Sequence, residues 1–180
     1  IMANEYLTRR PTSTGNRRVF TWAGWVKFNR PGFASNYTIF CAGTNGSNNV
    51  SGLEMGSGGS GDNIRFYDYG GSFTFEYFTS QKFRDISGWM HILASVDTTS
   101  SQEDSRVNLY INGVKLSSYS SETAAAINAQ CAHFNNSTSP HYLGKLADQS
   151  SNPKHQYADV FLIDGQALTP DVFGFYKQGK

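Results

Sequence analysis

Charge is scarce in this chain. Of its 180 residues 16% are charged, and 15 Lys and Arg stand against 14 Asp and Glu. So even a balance excludes the basic stripe that draws a domain onto nucleic acid. Long apolar runs are also missing. No stretch of about 18 apolar residues occurs, which excludes a membrane-spanning helix and hence membrane insertion by that route. No basic-then-apolar start marks a signal peptide in the residues given, and the opening Ile1-Met2 leads us to expect a piece of a longer protein. With only Cys41 and Cys131, no disulfide framework can staple the chain. The two would pair only if the fold brought their Cα atoms within about 7 Å. Two buried thiols are the expectation. Strong helix formers are few.

Aromatic and small polar residues are plentiful. Phe, Tyr and Trp make up 14% of the chain, beside 18 Gly and many Ser, Thr and Asn, a composition suited to short strands and tight turns. Apolar and polar residues alternate in Val19 to Phe28, with Phe20, Trp22, Val26 and Phe28 on one face, as in a half-buried strand. Similar runs cover Tyr37 to Ala42, Gly52 to Met55, Ile64 to Tyr69, Phe73 to Phe78, Met90 to Asp97, Val107 to Ile111, Val114 to Leu116, His141 to Leu146 and Tyr157 to Ile163. Asn112-Gly113 between Ile111 and Val114 signals a type I′ hairpin, because both central positions of that turn need positive φ. Leu109, Ile111, Val114 and Leu116 then share a face. Gly70-Gly71 suggests a second two-residue hairpin, and Gly56 to Gly61 a flexible loop. Ala124 to Ala129 is expected to form one helical turn, and Leu168 to Tyr176 a short helix with Thr169 as cap and Pro170 at its first position. No repeat or linker divides the chain, so residues 1–180 read as one domain, most simply two antiparallel sheets packed face to face.

Two segments carry a family resemblance: Gly88-Trp89-Met90-His91-Ile92 running to Val96-Asp97, then Val107-Asn108-Leu109-Tyr110-Ile111-Asn112-Gly113-Val114. Together they resemble the laminin-G/pentraxin-like branch of the concanavalin A-like jelly rolls. The closing Ala158 to Pro170 stretch and the opening Gly15-Asn16-Arg17-Arg18 before Trp22 and Trp25 extend the likeness over nearly the whole chain. In that combination the sequence looks like lectin-like domains of virion structural proteins, chiefly fibres of aquatic bacteriophages and proteins of large algal viruses. The resemblance implies an all-β, two-sheet antiparallel jelly-roll sandwich with a short C-terminal helical turn. It also implies a virion-surface module that contacts host-surface glycans or polysaccharides and other virion subunits, with a homo-oligomer open. The alternatives are a structural capsid or fibre docking module without sugar binding, and an extracellular adhesion domain of a cellular organism.

Candidate chemistry is sparse. A retaining glucanase needs two carboxylates about 5–5.5 Å apart, as alternating residues of a strand can supply. No Glu-x-Asp-x-Glu pattern occurs, and the adjacent Glu103-Asp104 point to opposite faces within the polar run Thr98 to Ser105, so no enzyme is expected. His91, His133, His141 and His155 lack zinc-site spacing. Relatives that hold calcium would draw ligands here from Asp62, Asn63, Asp97, Asp148 and Asp159, yet none reproduces a calcium-loop spacing, and no cofactor is assigned. Asp97 and Asp159 read as turn or strand-end residues. Glycosylation sequons at Asn36, Asn45, Asn49, Asn135 and Asn136 carry meaning only in a secretory host. The most informative feature is the Gly70-Gly71 hairpin. With a two-residue loop, Tyr69 faces Ser72, Tyr67 faces Thr74 and Arg65 faces Glu76. Ile64, Phe66, Phe73, Phe75 and Tyr77 then take the core face. The opposite face presents Arg65, Tyr67, Tyr69 and Glu76 as a carbohydrate site, with exposed rings beside paired charges. The same tyrosines equally suit plain coverage of a sheet.

Overall fold

The computed structural model describes residues 6–28, 37–44, 49–56, 61–85, 87–147 and 155–174. Residues 57–60 of the loop expected from Gly56 to Gly61, the sequons at Asn36 and Asn45, Asp148 and the end of the helix expected to reach Tyr176 lie outside the described residues. Strands form in each of the ten alternating runs, and two more, the first and tenth below, form outside them. They are β1 (Leu7–Arg9), β2 (Val19–Phe28), β3 (Tyr37–Gly43), β4 (Val50–Met55), β5 (Ile64–Tyr69), β6 (Phe73–Thr79), β7 (Met90–Asp97), β8 (Val107–Ile111), β9 (Val114–Lys115), β10 (Tyr119–Thr123), β11 (His141–Leu143) and β12 (His155–Asp164). Neighbouring strands are hydrogen-bonded in the order β1-β11-β3-β4-β5-β6-β10 in one sheet and β12-β2-β7-β8-β9 in the other. All pairs are antiparallel, as in a two-sheet jelly-roll sandwich.

The inner faces build one apolar core. Phe20, Trp22 and Val26 of β2 join Phe40 of β3, Leu53 of β4, Phe66 of β5, Phe75 of β6 and Leu109 of β8 in a single buried cluster. A loop contributes to it as well. Phe134, fully buried, lies with its ring centroid 5.4 Å from Phe20, 5.6 Å from Phe40 and 5.8 Å from Phe66, so it touches rings from both sheets. Asp68 holds the strap that carries Phe134 by accepting from the Ala132 N–H at 2.7 Å, and Arg17 Nε donates to the Cys131 carbonyl at 2.6 Å. The outer face of the five-stranded sheet is partly covered by the segment after β12. The Thr21 hydroxyl donates to the Gln166 carbonyl at 2.7 Å and accepts from the Leu168 N–H at 2.8 Å. Thr21 is buried under that cover, and Ala23 and its pairing partner Leu93, away from the main core, are fully enclosed, while Trp25 further along the outer face of β2 is exposed.

Turn chemistry decides the rest. Asn112 and Gly113 adopt φ of 50° and 80°, as a type I′ turn requires, and Ile111 pairs with Val114. Val114 itself sits at the exposed tip, while Leu109, Ile111 and Leu116 are buried. Three expectations fail. Within Ala124 to Ala129 there is a single hydrogen-bonded turn, Ala129 N–H to the Ala126 carbonyl at 3.1 Å, and no helical turn. The helix expected from Leu168 fails only in its length and cap bond: it is a 3-10 turn at Pro170–Val172, with Thr169 at the cap position and Pro170 at the start as expected, and the Thr169 hydroxyl bonds the Asp171 carboxylate rather than a backbone N–H. Asp159 is not a strand end: it has φ of 48° inside β12, where the pairing with β2 slips between Ala158 and Phe161. Cys41 and Cys131 are buried thiols with no disulfide between them. Leu109→Ala is expected to lower unfolding stability by about 2–5 kcal/mol, because the site is closed on every side. Gly113→Val should destabilise too, since a β-branched residue resists φ of 80°. Urea unfolding of both variants checks the assignment, and parental midpoints would contradict it.

Candidate functional site

The four residues expected to form a sugar site do meet on the outer face of the seven-stranded sheet, in a different register. Tyr69 pairs with Phe73, and a slip between Asp68 and Tyr69 sets Tyr67 opposite Glu76 and Arg65 opposite Phe78. The loop is therefore three residues, Gly70 to Ser72, with Gly71 at φ of 94°. Packing accounts for the tightness at Gly70, where a Cβ would come within 2.6 Å of the Ala132 Cβ. A further consequence is that Phe73 leaves the core. It is 38% exposed, with its ring 4.8 Å from Tyr69 and 6.4 Å from Tyr67 in edge-on contacts.

Arg65 is the hub of this face. Its guanidinium carbon lies 3.8 Å from the Tyr67 ring centroid, 5.2 Å from Phe78 and 5.7 Å from Phe73. Its Nε donates to Glu76 Oε1 at 2.9 Å, and Nη1 lies 3.7 Å from Glu54 Oε2. Glu54 is wholly buried, and its Oε1 accepts from the Tyr67 hydroxyl at 3.0 Å. Tyr67 is thus not the exposed plate expected from sequence. It is 6% exposed, its ring lies over Gly52, where an added Cβ would meet it at 3.2 Å, and burial first and Glu54 second push its hydroxyl pKa far upward. The role left to it is to hold Arg65 in place. Tyr69 is half-buried and Arg65 and Glu76 each keep 16% side-chain exposure, so these three and Phe73 form the accessible part. Sequence reasoning missed Glu54, although Gly52 and Glu54 alternate with Leu53 and Met55 and so had to face outward. The slip that exposes Phe73 leaves no such trace.

Metal chemistry finds no foothold among the described residues, where no group of three His, Cys, Asp or Glu is placed to hold an ion. Of the calcium candidates, Asp62 pairs with Arg84 at 2.9 Å, Asp97 accepts from the Thr99 N–H at 3.0 Å and Asn63 is buried. Two of the histidines, His141 and His155, are built into the packing. His141 accepts from the Asn135 N–H at Nε2, 3.1 Å away, and its Nδ1 donates to the Ser139 carbonyl at 3.0 Å. Burial pushes its pKa down to about 4, against the smaller opposing effect of the Ser139 carbonyl. His155, packed against Phe28 with ring centroids 4.6 Å apart, is likewise pushed down to about 4 by burial.

With this geometry in hand, the chain is a concanavalin A-like sandwich. The family model described as concanavalin A-like lectin/glucanases superfamily, Laminin_G_3, matches residues 3–171, and the chain belongs to that family. No curated protein matches it. Among solved structures, the Trypanosoma rangeli sialidase in complex with 2,3-difluorosialic acid superposes with a TM-score of 0.56 at 14% identity, over 85% of this chain and 21% of the sialidase. The native heptameric SAP-like pentraxin from Limulus polyphemus gives 0.55 at 16% identity, over 91% of this chain and 71% of the pentraxin. The botulinum neurotoxin serotype D binding domain gives 0.51 at 10% identity, over 96% of this chain and 39% of that domain. The chain thus spans about a fifth of the sialidase, and at these identities the likeness is one of fold.

Two outcomes follow from the buried titratable groups. Glu54→Leu strands the Tyr67 hydroxyl and removes one carboxylate from Arg65, so it should cost on the order of 3 kcal/mol in urea unfolding. A parental midpoint would contradict that account. For His141 and His155 the folded pKa is depressed below the unfolded value, so the unfolded state binds more protons as pH falls between the two. Their stability contribution is full above about pH 6.5 and is lost progressively toward about pH 4. Urea midpoints should therefore drop between about pH 7 and about pH 5, and ring resonances that titrate near about 6.5 would overturn the assignment.

Proposed function

We propose that this chain is a non-catalytic, lectin-like recognition module that binds glycans on the outer face of its seven-stranded sheet. The observation that carries the reading is the accessible pair Tyr69 and Phe73 beside the Arg65–Glu76 ion pair. Ring faces accept the apolar C–H surface of a sugar, and the guanidinium and carboxylate bond its hydroxyls. Tyr67 and Glu54 act from behind by fixing Arg65. Both carboxylates on this face are engaged by the same arginine, an arrangement that supports recognition over acid–base chemistry. The family to which the chain belongs supports the reading at the level of fold. The setting we propose is a virus-particle surface, where one such module would contact host-surface glycans or polysaccharides and neighbouring virion subunits. It is supported by the likeness of the Gly15 to Trp25 and Ala158 to Pro170 segments to virion fibre domains. An extracellular adhesion domain would use the same face.

A second reading, docking onto a neighbouring subunit without sugar, is favoured by a different surface. On the outer face of the five-stranded sheet Trp25 is 38% and Phe161 46% exposed; His91 lies 5.1 Å from Trp25, and Phe173 5.9 Å from Phe161. A glycan array separates the two. The parent chain is expected to bind, and Tyr69→Ala with Phe73→Ala to weaken binding by about tenfold or more at an unchanged melting temperature, since each exposed ring contributes about 1 kcal/mol. An array silent for the folded parent would sink the first reading in favour of docking, and release of reducing sugar from a β-glucan would show catalysis.

A further inference from the structure

The open side of the sandwich, between edge strands β1 and β12, contains a cleft of about 430 Å³, within the range of small-molecule sites. Its walls follow from register. Leu7 and Arg9 of β1 pair with Leu143 and His141 of β11, and all four line the cleft, so the Arg9 side chain belongs to the inward face of an edge strand. On the other wall Leu162 and Asp164 of β12 pair with the core residues Trp22 and Phe20 of β2. The cleft therefore receives a cation from one sheet and a carboxylate from the other. Arg9 and Asp164 make no ion pair among the described residues, although both line it. Asp164 Oδ1 accepts from the Asn16 N–H at 2.7 Å and the Asn135 side-chain amide at 3.1 Å, and its Oδ2 lies against Gly15, itself a lining residue, where an added Cβ would come within 2.5 Å of it.

The telling atom is Trp22 Nε1. Trp22 is 1% exposed and lines the cleft, and this buried donor has no hydrogen-bond partner among the described residues. A Cβ built on Gly24 would lie 3.0 Å from Val160 Cγ2, 3.3 Å from Trp22 Cη2 and 3.5 Å from Cζ2. Val160, itself a lining residue, and this edge of the indole thus both border Gly24. A buried N–H left unmet carries a full desolvation penalty, which an acceptor in the cleft removes.

We propose that this cleft binds a carboxylate-bearing sugar, a uronate or a related acidic ring. The carboxylate pairs with Arg9, a ring or hydroxyl oxygen accepts from Trp22 Nε1, a hydroxyl donates to Asp164, and the apolar side of the ring rests on Leu143, Val160 and Leu162. The site is separate from the outer-face rings, since none of Arg65, Tyr69, Phe73 and Glu76 lines it, so it stands whether or not that face binds glycans. The test is an NMR titration of the 180-residue chain that follows the Trp22 indole N–H resonance, assigned by elimination with Trp25→Phe and Trp89→Phe, both at exposed rings. Sodium glucuronate is expected to shift it saturably, with glucose and acetate far weaker. Arg9→Gln should weaken glucuronate by about tenfold or more, the loss of one charge-assisted pair. The Tyr69→Ala, Phe73→Ala variant should titrate like the parent. No shift with glucuronate overturns the proposal, and Arg9 and Asp164 are then inward charges that guard two sheet edges. An equal response to glucose removes the carboxylate's role, an equal response to acetate removes the sugar's, and a response lost with Tyr69 and Phe73 moves the binding to the outer face.

Discussion

Phe134 is the constraint on which the rest of the molecule hangs. A loop side chain wedged among Phe20, Phe40 and Phe66 ties the two sheets together at one end, where strand pairing alone would leave them independent. Its position needs the strap from Cys131 to Asn135 to sit deep, and buried polar bonds hold it there: Asp68 to the Ala132 N–H, Arg17 to the Cys131 carbonyl, His141 to the Asn135 N–H. From that anchor the geometry of both proposed sites follows. Asp68 lies next to the register slip that exposes Phe73, and Asn135, one residue beyond Phe134, holds Asp164 at the wall of the cleft.

The outer face of the seven-stranded sheet is polar in composition and compact in packing. Two carboxylates flank one guanidinium, and three rings surround it, so the charges are kept by one another rather than by water. Such an arrangement leaves the side chains little freedom to rearrange, so the entropic cost of ordering this face on any binding event would be small.

The fold was legible from periodicity because each long strand keeps one face in a common core. β2, β5, β7 and β8 fall on the bounds that alternation predicts. β1 and β10 were not, because an edge strand with Leu7 and Glu122 open to solvent has no buried face to impose an alternation. At the site, the outward direction of Arg65, Tyr67 and Glu76 could be read, but not the depth of Tyr67. Depth depends on Gly52 leaving room beneath the ring and on Glu54 of the next strand, a non-local fact that no window of sequence contains. Phe73 was misplaced for a related reason: one slipped residue between Asp68 and Tyr69 reverses the facing of a strand end.

The pairing of β12 with β2 joins strands from opposite ends of the chain. Until residues 155–164 are made, one edge of β2 has no neighbour, and with it Trp22 and Val26 lack part of their cover. At translation speeds of about 5–20 residues per second, that interval lasts on the order of ten seconds. Assembly of this sandwich is consequently late and slow by topology, as non-local sheets are. During synthesis the nascent chain has to be kept from pairing with its neighbours through an apolar strand that the finished molecule no longer shows.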